Sequence, residues 1–420
     1  MNISVVGSGY VGLVTGMGFA ELGNYVVFID VDEDKVERIN SCKPPIFEKG
    51  LEELMRKNGE KYYATTDYSV VAGCDVIFIC VGTPSKDDGS IDLSFVKNAS
   101  KKIGENLSDR YQVVVVKSTV IPGTTEEVVK PIIEKESGKE AFKDFGLAMN
   151  PEFLREGNAV EDFFNPDRIV IGVRDEKTKL ILDELYKQFN CPKLFTDIKT
   201  AEMIKYVSNA FLATKISFAN EVGNVCKKLG IDVYEVFKGV GLDHRINPAF
   251  FRAGIGFGGS CFPKDVKALI RKAEELGEDT KILKAVIEVN EMQPLKMIEL
   301  LRNHIPNLKG KKIGVLGLAF KPGTDDIRES RAIPIIEALI KEGAKIIAYD
   351  PKAMENFAKI FPQIEYANSA EDVIAKSDAV LIVTEWEEFE KLDYGGRIVI
   401  DGRRIEKAMK EARIYEGVCW

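Results

Sequence analysis

The chain has 420 residues, of which 45% are hydrophobic and 30% are charged, and its net charge is −8. This length exceeds one small hydrophobic core and predicts two or three globular domains. The acidic balance disfavours a nucleic-acid binder, and no apolar run approaches the ~20 residues that a membrane helix needs.

Cysteine and histidine usage bounds the compartment and the chemistry. The seven cysteines are odd in number and none belongs to a C-x-x-C pair, which argues against disulfides and a zinc site. The chain starts directly with a strand pattern and lacks a basic leader, so we expect no signal peptide and a cytoplasmic protein. With only His244 and His304 present, we expect Lys, Asp, Glu or water to carry acid–base chemistry.

The first 30 residues predict a dinucleotide-binding unit of strand, G-x-G-x-x-G turn, helix and second strand. Gly7 permits the tight turn, Gly9 lets a pyrophosphate approach the backbone, and Gly12 lets the helix pack on the strand. Asp30 closes the second strand, where it would bind ribose hydroxyls and repel a 2′-phosphate. This favours NAD over NADP, although Lys35 lies downstream. A flavin site or a vestigial nucleotide fold is the alternative.

Further strands separated by helical segments predict a doubly wound sheet over residues 1–199. We predict parallel-type strands at residues 75–81, 112–117, 146–149 and 168–173. Ligands of such sheets bind beyond the carboxyl ends of the strands. Polar turns follow three of these strands, at residues 81–84, 117–120 and 150–156. These turns lie where a second substrate would face the nicotinamide. Ordinary turn chemistry is the alternative explanation for their polar residues.

Residues 200–230 predict one long helix, a candidate spine or dimer interface. Its apolar face, at a period of 3.6, comprises Met203, Ile204, Val207, Phe211, Phe218, Val222 and Val225. Lys205 and Asn209 are i, i+4 neighbours on the opposite side, and Asn220 follows further along. An ordinary solvated face is the alternative for these polar residues, and we expect it for Asn220.

The segment GFGGSCFPKD, residues 256–265, predicts a reactive cysteine. Its glycines allow positive φ and a close approach to a ligand. Pro263 and the amphipathic run from Asp265 predict a helix start, which places Cys261 near a helix N-terminus that favours the thiolate. Lys264 and Asp265 add a cation and a potential base. A buried, inert cysteine in a glycine turn is the alternative.

Residues 311–420 predict a second Rossmann-like domain after a helical segment that ends near residue 302 and a linker at 303–312. Strand, glycine turn 314–317, helix and a strand ending at Asp350 repeat the opening unit. The turn precedes an insertion with Lys321, Arg328 and Arg331, so we expect a nucleotide other than the nicotinamide cofactor. Strands at 379–383 and 397–400 follow, and Arg403 lies where it could meet phosphate or merely solvent.

An NAD site, a nucleophilic cysteine and a Lys/Asn pair together indicate oxidation through a covalent thioester. A thiolate adds to an aldehyde, hydride loss from the adduct gives a thioester, and water releases an acid. A dehydrogenase that stops at the alcohol oxidation would not need the cysteine.

The motifs resemble those of the UDP-glucose 6-dehydrogenases in the UDP-glucose/GDP-mannose dehydrogenase family. In chain order they are GSGYVG, VGTP, KSTV, NPEFLREG, NPDRIVIG, AEMIKYVSNAFLATKISFANE, GFGGSCFPKD, GLAFKPGTDDIRES and DGRR. The match covers nearly the whole chain, and its cysteine loop and long helix are highly specific. Together, pattern and resemblance imply an α/β fold of two Rossmann-like doubly wound domains. A long central helix and a helical middle domain, residues 200–302, would join them.

The resemblance also implies the reaction, which is two successive NAD-dependent oxidations of the C6 alcohol of UDP-glucose to give UDP-glucuronate and two NADH. Cys261 would be the nucleophile, and Lys205 and Asn209 would stabilise oxyanions at C6. Asp265 would orient or activate water, with Thr119 and Glu156 as partners in proton handling.

Binding residues follow from the same resemblance. The implied cofactor-binding residues are Gly7, Gly9, Tyr10, Val11, Gly12, Asp30, Lys35, Thr83, Pro84, Thr119, Glu156, Lys264 and Arg328. The implied substrate-binding residues are Glu152, Phe153, Leu154, Lys205, Asn209, Arg245, Phe250, Arg252, Gly258, Phe320, Lys321 and Arg403. Arg245 matches a residue that reaches the neighbouring subunit's substrate, which implies a homodimer through the central helix. No metal, nucleic acid or membrane is implied.

Several alternatives remain open. GDP-mannose 6-dehydrogenases share a similar cysteine loop, and the stretch NPDRIVIG favours the UDP-glucose members. UDP-N-acetylhexosamine dehydrogenases usually have another pattern after the loop glycines. A sugar-nucleotide-binding protein without catalysis would not need Cys261, Lys205 and Asp265 together. A 3-hydroxyacid dehydrogenase would explain neither the cysteine loop nor the third domain.

Overall fold

Fourteen β-strands form two separate sheets in a computed structural model that describes residues 1–420. The chain divides into two units, Met1–Ser208 and Asn209–Trp420, and each unit has its own sheet and its own hydrophobic core. None of the helices combines the length and the apolar character that a bilayer crossing demands.

The strands of the first unit are β1 Asn2–Val6, β2 Tyr25–Ile29, β3 Tyr62–Thr65, β4 Val76–Ile79, β5 Val113–Val116, β6 Gly146–Met149, β7 Ile169–Gly172 and β8 Lys193–Thr196. They lie in the order β3-β2-β1-β4-β5-β6-β7-β8. Alternate strand residues supply two cores on opposite faces of the sheet, with Val5 in one core and Val6 in the other. This is the predicted doubly wound arrangement.

One strand direction in the first sheet differs from the prediction. β7 pairs antiparallel with β6 through Met149 and Gly172, whereas the other neighbouring pairs are parallel. The sequence of β7 is a fully apolar run, and such a run does not encode the direction of a strand. The short edge strand β8 was not predicted, because its residues are only partly buried and lack a clear alternation.

The helices of the first unit are α1 Tyr10–Glu21, α2 Glu33–Asn40, α3 Leu51–Lys57, α4 Ser94–Asn106, α5 Lys130–Ser137, α6 Ala159–Phe164 and α7 Glu176–Leu185. Side-chain caps define several of their starts. Asp32 accepts the Lys35 N–H at the start of α2, and Asp175 accepts the Thr178 N–H at the start of α7. A π-helical turn, Thr125–Val129, precedes α5.

The long helix α8 spans Ile198–Leu229, close to the predicted 200–230. Its apolar face is the exposed one, because Met203, Val207, Phe211, Phe218 and Val225 all lie at the surface. Its polar side is the buried one and holds Lys205, Asn209 and Asn220. The expectation of a solvated Asn220 is therefore wrong. Helical periodicity shows which residues share a face but not which face is covered.

The second unit contains six parallel strands, β9 Lys312–Leu316, β10 Lys345–Tyr349, β11 Glu365–Tyr366, β12 Ala379–Ile382, β13 Ile398–Asp401 and β14 Ile414–Gly417. Their order, β11-β10-β9-β12-β13-β14, repeats the order of the first six strands of the first sheet. Its further helices are α9 Val233–Gly241, α10 Phe262–Glu275, α11 Lys281–Met292, α12 Lys296–His304, α13 Ala332–Lys341, α14 Met354–Ala358, α15 Ala370–Lys376 and α16 Glu406–Glu411. The second Rossmann-like domain is thereby confirmed.

Candidate active site

The glycine turn between β1 and α1 leaves an open approach to the start of the helix. Gly7 has a φ of +95°, and a Cβ on Gly12 would collide with the Gly7 carbonyl. A Cβ added to Gly9 would have no other atom within 4 Å, so the space beside this residue is open. α1 begins at Tyr10 without a side-chain cap, so its first N–H groups can meet an anion. These features fit the pyrophosphate of a dinucleotide.

Asp30 lies at the end of β2 beside this turn. Its Oδ2 accepts hydrogen bonds from the Ser8 N–H at 2.8 Å and the Ser8 hydroxyl at 2.6 Å. Burial acts to raise the pKa of Asp30, but the hydrogen bonds from Ser8 and Asp32 outweigh it and hold the pKa below its usual range. A charged Asp30 suits ribose hydroxyls and repels a 2′-phosphate. Lys35 Nζ lies 3.8 Å from Asp32 Oδ2, and its charge also helps to lower the pKa of Asp30.

The three polar turns predicted at the carboxyl ends of the strands lie together. The Thr83 hydroxyl donates to the Thr119 carbonyl at 2.9 Å and joins the turns after β4 and β5. The Lys117 ammonium donates to Asn150 Oδ1 at 2.9 Å and joins the turns after β5 and β6. Burial lowers the pKa of Lys117 to about 8.

Lys205 forms a buried ion pair with Glu152, at 2.8 Å between Nζ and Oε1. The other carboxylate oxygen accepts the Leu154 N–H at 2.6 Å, and the Phe153 ring centroid lies 5.5 Å from the Lys205 Nζ. Burial acts to raise the pKa of Glu152, but the Lys205 charge and hydrogen bonds hold it below its usual range. The turn after β6 therefore positions the α8 lysine.

The loop that carries Glu156 is fastened to the glycine turn. The Gly157 N–H donates to the Tyr10 hydroxyl and also to Glu48 Oε2 at 2.8 Å. Glu48 is buried and its second oxygen accepts the Ala159 N–H at 2.8 Å. The dinucleotide turn and the 150–156 turn thus share one hydrogen-bonded network within the first unit.

In the second unit, Cys261 is the exposed residue immediately before α10. Asp265 lies in the first turn of this helix and is 1% exposed. Its Oδ2 accepts Asn209 Nδ2 at 2.6 Å, and its Oδ1 accepts the Lys264 ammonium at 2.6 Å. The predicted helix start at the cysteine is confirmed, and Asn209, Lys264 and Asp265 form one cluster. None of the seven cysteines forms a disulfide.

Other substrate-binding candidates border the cysteine loop. The Arg403 guanidinium donates from Nε to the Val383 carbonyl at 2.8 Å and from Nη1 to the Gly256 carbonyl at 3.4 Å. A Cβ on Gly259 would lie 2.7 Å from the Phe320 ring, and one on Gly258 would collide with a backbone carbonyl. The second unit therefore brings Phe320, Gly258 and Arg403 together around the loop.

Five further binding candidates belong to the same unit. Arg245 and Arg328 each pair with the aspartate two residues earlier and point largely to solvent. Arg252 is mostly exposed, with Nη1 3.6 Å from Glu385. Lys321 Nζ lies 5.4 Å from the Phe320 ring centroid. The Phe250 ring centroid lies 6.3 Å from that of Phe262.

The second sheet lacks an open counterpart of Asp30. Asp350 occupies the equivalent strand end and is fully buried. Its two oxygens accept four backbone N–H groups at 2.7–3.0 Å and the Trp386 indole N–H at 3.0 Å. With its acceptors engaged, Asp350 is not available to ribose hydroxyls, in agreement with the expectation of a nucleotide other than the nicotinamide cofactor.

Sequence reasoning missed several residues that shape these clusters. They are Ser8, Glu48 and Glu385. Ser8 could have been found, because it lies between Gly7 and Gly9 in the glycine fingerprint. The others are distant in sequence from the groups they contact, and no local pattern signals such contacts. Glu385, for example, contacts Arg403 at 3.4 Å as well as Arg252.

Models of one protein family match the chain in three consecutive parts. The UDP-glucose/GDP-mannose dehydrogenase family's NAD binding domain matches residues 1–190, its central domain matches residues 199–292, and its UDP binding domain matches residues 314–408. These three ranges cover most of the chain.

Individual relatives match the chain in sequence over most or all of its length. The chain is 50% identical to a UDP-glucose 6-dehydrogenase of Haloferax volcanii, with 100% of each chain covered. It is 47% identical to a UDP-glucose 6-dehydrogenase of Bacillus subtilis, over 92% of this chain and 88% of the relative. Among solved structures, a UDP-glucose dehydrogenase from Pyrobaculum islandicum has a TM-score of 0.97 and 47% identity, covering 100% of this chain and 98% of that one.

Proposed function

Because the chain belongs to the UDP-glucose/GDP-mannose dehydrogenase family, we propose that it oxidises UDP-glucose to UDP-glucuronate in two NAD-dependent steps. The observation that carries this proposal is Cys261, an exposed thiol at the start of α10, one turn from the buried Asp265. A dehydrogenase that acts only on an alcohol has no use for such a thiol, whereas oxidation to an acid does.

NAD is the cofactor of this family and accepts a hydride in each oxidation when bound. The open glycine turn and the charged Asp30 fit its pyrophosphate and adenosine ribose. We assign Gly7, Gly9, Tyr10, Val11 and Gly12 to the pyrophosphate. The further cofactor-side residues that we assign are Asp30, Lys35, Thr83, Pro84, Thr119, Glu156, Lys264 and Arg328.

Cys261 would carry the covalent chemistry. Its thiolate adds to C6 of the aldehyde to give a thiohemiacetal, and loss of a hydride from C6 to NAD converts this adduct to a thioester. Water then breaks the C–S bond and releases the acid and the cysteine thiol. The start of a helix favours the thiolate form. Asp265 lies one turn further along α10 and would orient the water, with Thr119 and Glu156 as partners in proton handling.

Lys205 and Asn209 would stabilise the negative charge that develops on the C6 oxygen. They lie one turn apart on α8, and buried partners hold each side chain, Glu152 for Lys205 and Asp265 for Asn209. A cation and an amide donor fixed before the reaction stabilise a developing oxyanion more than a neutral alcohol. Glu152, Phe153 and Leu154 would contact the substrate through the same turn.

The UDP moiety would bind in the second unit. Arg403 and Lys321 offer positive charge for the diphosphate, and Phe320, Gly258 and Phe250 offer close or aromatic contact. Arg252 would add a further cation at the rim. We propose three domains. The first domain, residues 1–199, would bind NAD, the middle domain, residues 200–302, would carry Cys261, and the C-terminal domain, residues 311–420, would bind the UDP moiety.

The enzyme would be a cytoplasmic homodimer. Six apolar side chains of α8 are exposed at helical spacing, and a second copy of the same helix would cover them. They are Met203, Val207, Phe211, Phe218, Val225 and Leu229. Arg245 would then reach the substrate of the partner. Reduced cysteines in a chain with seven of them fit the cytoplasm.

The yield of NADH per sugar nucleotide tests the proposal. Purified protein with excess NAD and limiting UDP-glucose is expected to give two NADH per sugar, and UDP-glucuronate as product. GDP-mannose and UDP-N-acetylglucosamine serve as matched alternative substrates. Turnover of GDP-mannose alone would keep the mechanism and replace the substrate, whereas one NADH per UDP-glucose would contradict the two-step oxidation.

A further inference from the structure

We propose that Asn290, on α11, is a positioning residue that fixes the loop carrying the catalytic cysteine. The backbone of this loop that precedes α10 comprises residues 253–261. The Asn290 carboxamide accepts the Phe257 N–H at 2.7 Å and donates to the Phe257 carbonyl at 3.0 Å. One side chain therefore satisfies both backbone groups of a loop residue, as a neighbouring strand would in a sheet. Asn290 is 3% exposed.

A second anchor holds the loop three residues earlier. The Gly254 N–H donates to Asn220 Oδ1 at 2.7 Å, and the Gly254 carbonyl accepts Gln293 Nε2 at 2.8 Å. Between the anchors, Gly256 has a φ of +90°, and a Cβ there would collide with the Asn290 side chain. Buried amide side chains thus replace the ladder hydrogen bonds that this irregular backbone lacks.

Backbone contacts also fix the part of the loop between Phe257 and Cys261. The Gly259 N–H donates to the Arg328 carbonyl at 2.9 Å, and Gly258 packs directly against the Glu329 backbone. The Phe257 side chain is buried in a cluster with Val266 of α10. A shift at Phe257 would therefore pass to the cysteine and to the helix that begins after it.

Asn290 is itself held from the opposite side. Its backbone carbonyl accepts Arg331 Nη1 at 3.3 Å, and the same buried guanidinium donates to the Glu329 carbonyl at 2.8 Å. Glu329 is the residue against which Gly258 packs. Asn290 consequently connects α11 to Phe257, and Arg331 connects it through Glu329 to Gly258.

The role demands a carboxamide. A donor and an acceptor must act in one plane on Phe257, and of the side chains of this size only asparagine supplies both. Asn290→Asp keeps the acceptor but loses the donor and brings a carboxylate against the Phe257 carbonyl. Asn290→Ala loses both contacts. Because a displacement of about 1 Å can slow a reaction by about 100-fold, we expect kcat to fall by roughly tenfold or more in each variant.

The test compares these variants with Asn58→Ala, which removes an equally buried amide far along the chain that bonds to Glu21 and Leu54. We measure kcat, the KM for NAD, and the pH dependence of Cys261 alkylation by iodoacetamide, followed on its peptide by mass spectrometry. The expected result is a lower kcat, an unchanged KM for NAD and a shifted alkylation profile in both Asn290 variants. In Asn58→Ala kcat and the profile should match the wild type.

Two outcomes would overturn the proposal. The first is a folded Asn290 variant with wild-type kcat and wild-type alkylation. The second needs no variant: amide hydrogen exchange at Phe257 and Gly254 in the wild-type protein that is as fast as in an exposed loop. The proposal relies on the function proposed above, but alkylation and exchange do not require turnover. A chain that fails to oxidise UDP-glucose would refute that function and leave the positioning test standing.

Discussion

At the residue scale, Glu152 allows Lys205 to remain a charged side chain inside the protein, because the two form a buried ion pair. Each partner lies within 2.8 Å of the other, and both side chains are almost fully shielded from water. A buried ion pair of this kind contributes little net stability, but removal of one partner leaves an uncompensated charge. The pair therefore fits the role proposed for Lys205 in stabilising an oxyanion.

Glu152→Gln should accordingly destabilise the protein by roughly 3–5 kcal/mol, the loss typical of a broken buried pair. Urea unfolding of the variant measures the free energy of unfolding. The matched control is Glu140→Gln, which removes the exposed partner of Lys143 and should change stability little. Equal stabilities for wild type and Glu152→Gln would mean that Lys205 is not held as a buried cation.

Glu202 on α8 predicts a pH dependence of stability. Its carboxylate accepts the Gly123 and Thr125 N–H groups at 2.5 and 2.8 Å, beside Glu126 and the Lys199–Glu127 ion pair. Burial raises the pKa of Glu202 to about 7 despite these hydrogen bonds.

Since the folded pKa is above the unfolded one, the folded state binds the proton more tightly. The stabilisation is complete below the unfolded pKa and is lost as the pH rises to about 7. Melting temperature should thus fall over this interval, and Glu202→Gln should flatten the fall. An unchanged slope in the Gln variant would contradict the assignment.

At the element scale, α8 has its apolar face at the surface and its polar residues inside. Phe211 is 63% exposed, while Asn220 is fully buried. Six exposed apolar side chains on one helix fit the proposed dimer interface better than a solvated surface. The same helix would then carry the residues proposed for catalysis on one side and the proposed dimer contact on the other.

Phe211→Glu combined with Phe218→Glu should split the proposed dimer. A two-fold interface uses the same patch of both copies, so the two substitutions would bury four carboxylates without partners in it. Sedimentation should show the mass of one 46.8 kDa chain in place of two. Leu180→Glu, at an exposed site on α7, should leave the assembly unchanged. A wild-type protein that sediments as a single chain would contradict the dimer.

Local patterns predicted the elements better than their surroundings. The glycine turn, the α8 boundaries and the helix start at Cys261 follow from short sequence signals, and all three match the structure. The antiparallel direction of β7 and the burial of Asn220 do not follow from such signals. Direction and burial depend on the packing of distant segments, which no single stretch of sequence encodes. The Asn290–Phe257 contact across 33 residues is of the same kind.

At the scale of the whole molecule, the two units share a strand order but differ at one carboxylate. Asp30 is half-buried beside an open turn, whereas Asp350 is saturated by protein donors. The same fold therefore offers a dinucleotide site in the first unit and has closed the equivalent position in the second.

Asp30→Ser should lower kcat/KM for NAD and reduce the discrimination against NADP, because the charge that repels a 2′-phosphate is gone. Initial rates with both cofactors measure the ratio. Asp350→Asn is the matched control, and it should weaken thermal stability while leaving the cofactor ratio unchanged. A ratio that moves with Asp350 and not with Asp30 would place the dinucleotide in the other unit.

The most direct test of covalent catalysis is the intact mass of the protein, quenched in acid during turnover with UDP-glucose and NAD. The wild type should gain the mass of one UDP-sugar adduct, which should map to the peptide that contains Cys261. Cys261→Ala should gain no mass and form no UDP-glucuronate. Production of UDP-glucuronate by Cys261→Ala at the wild-type rate, with no adduct on either protein, would contradict the mechanism.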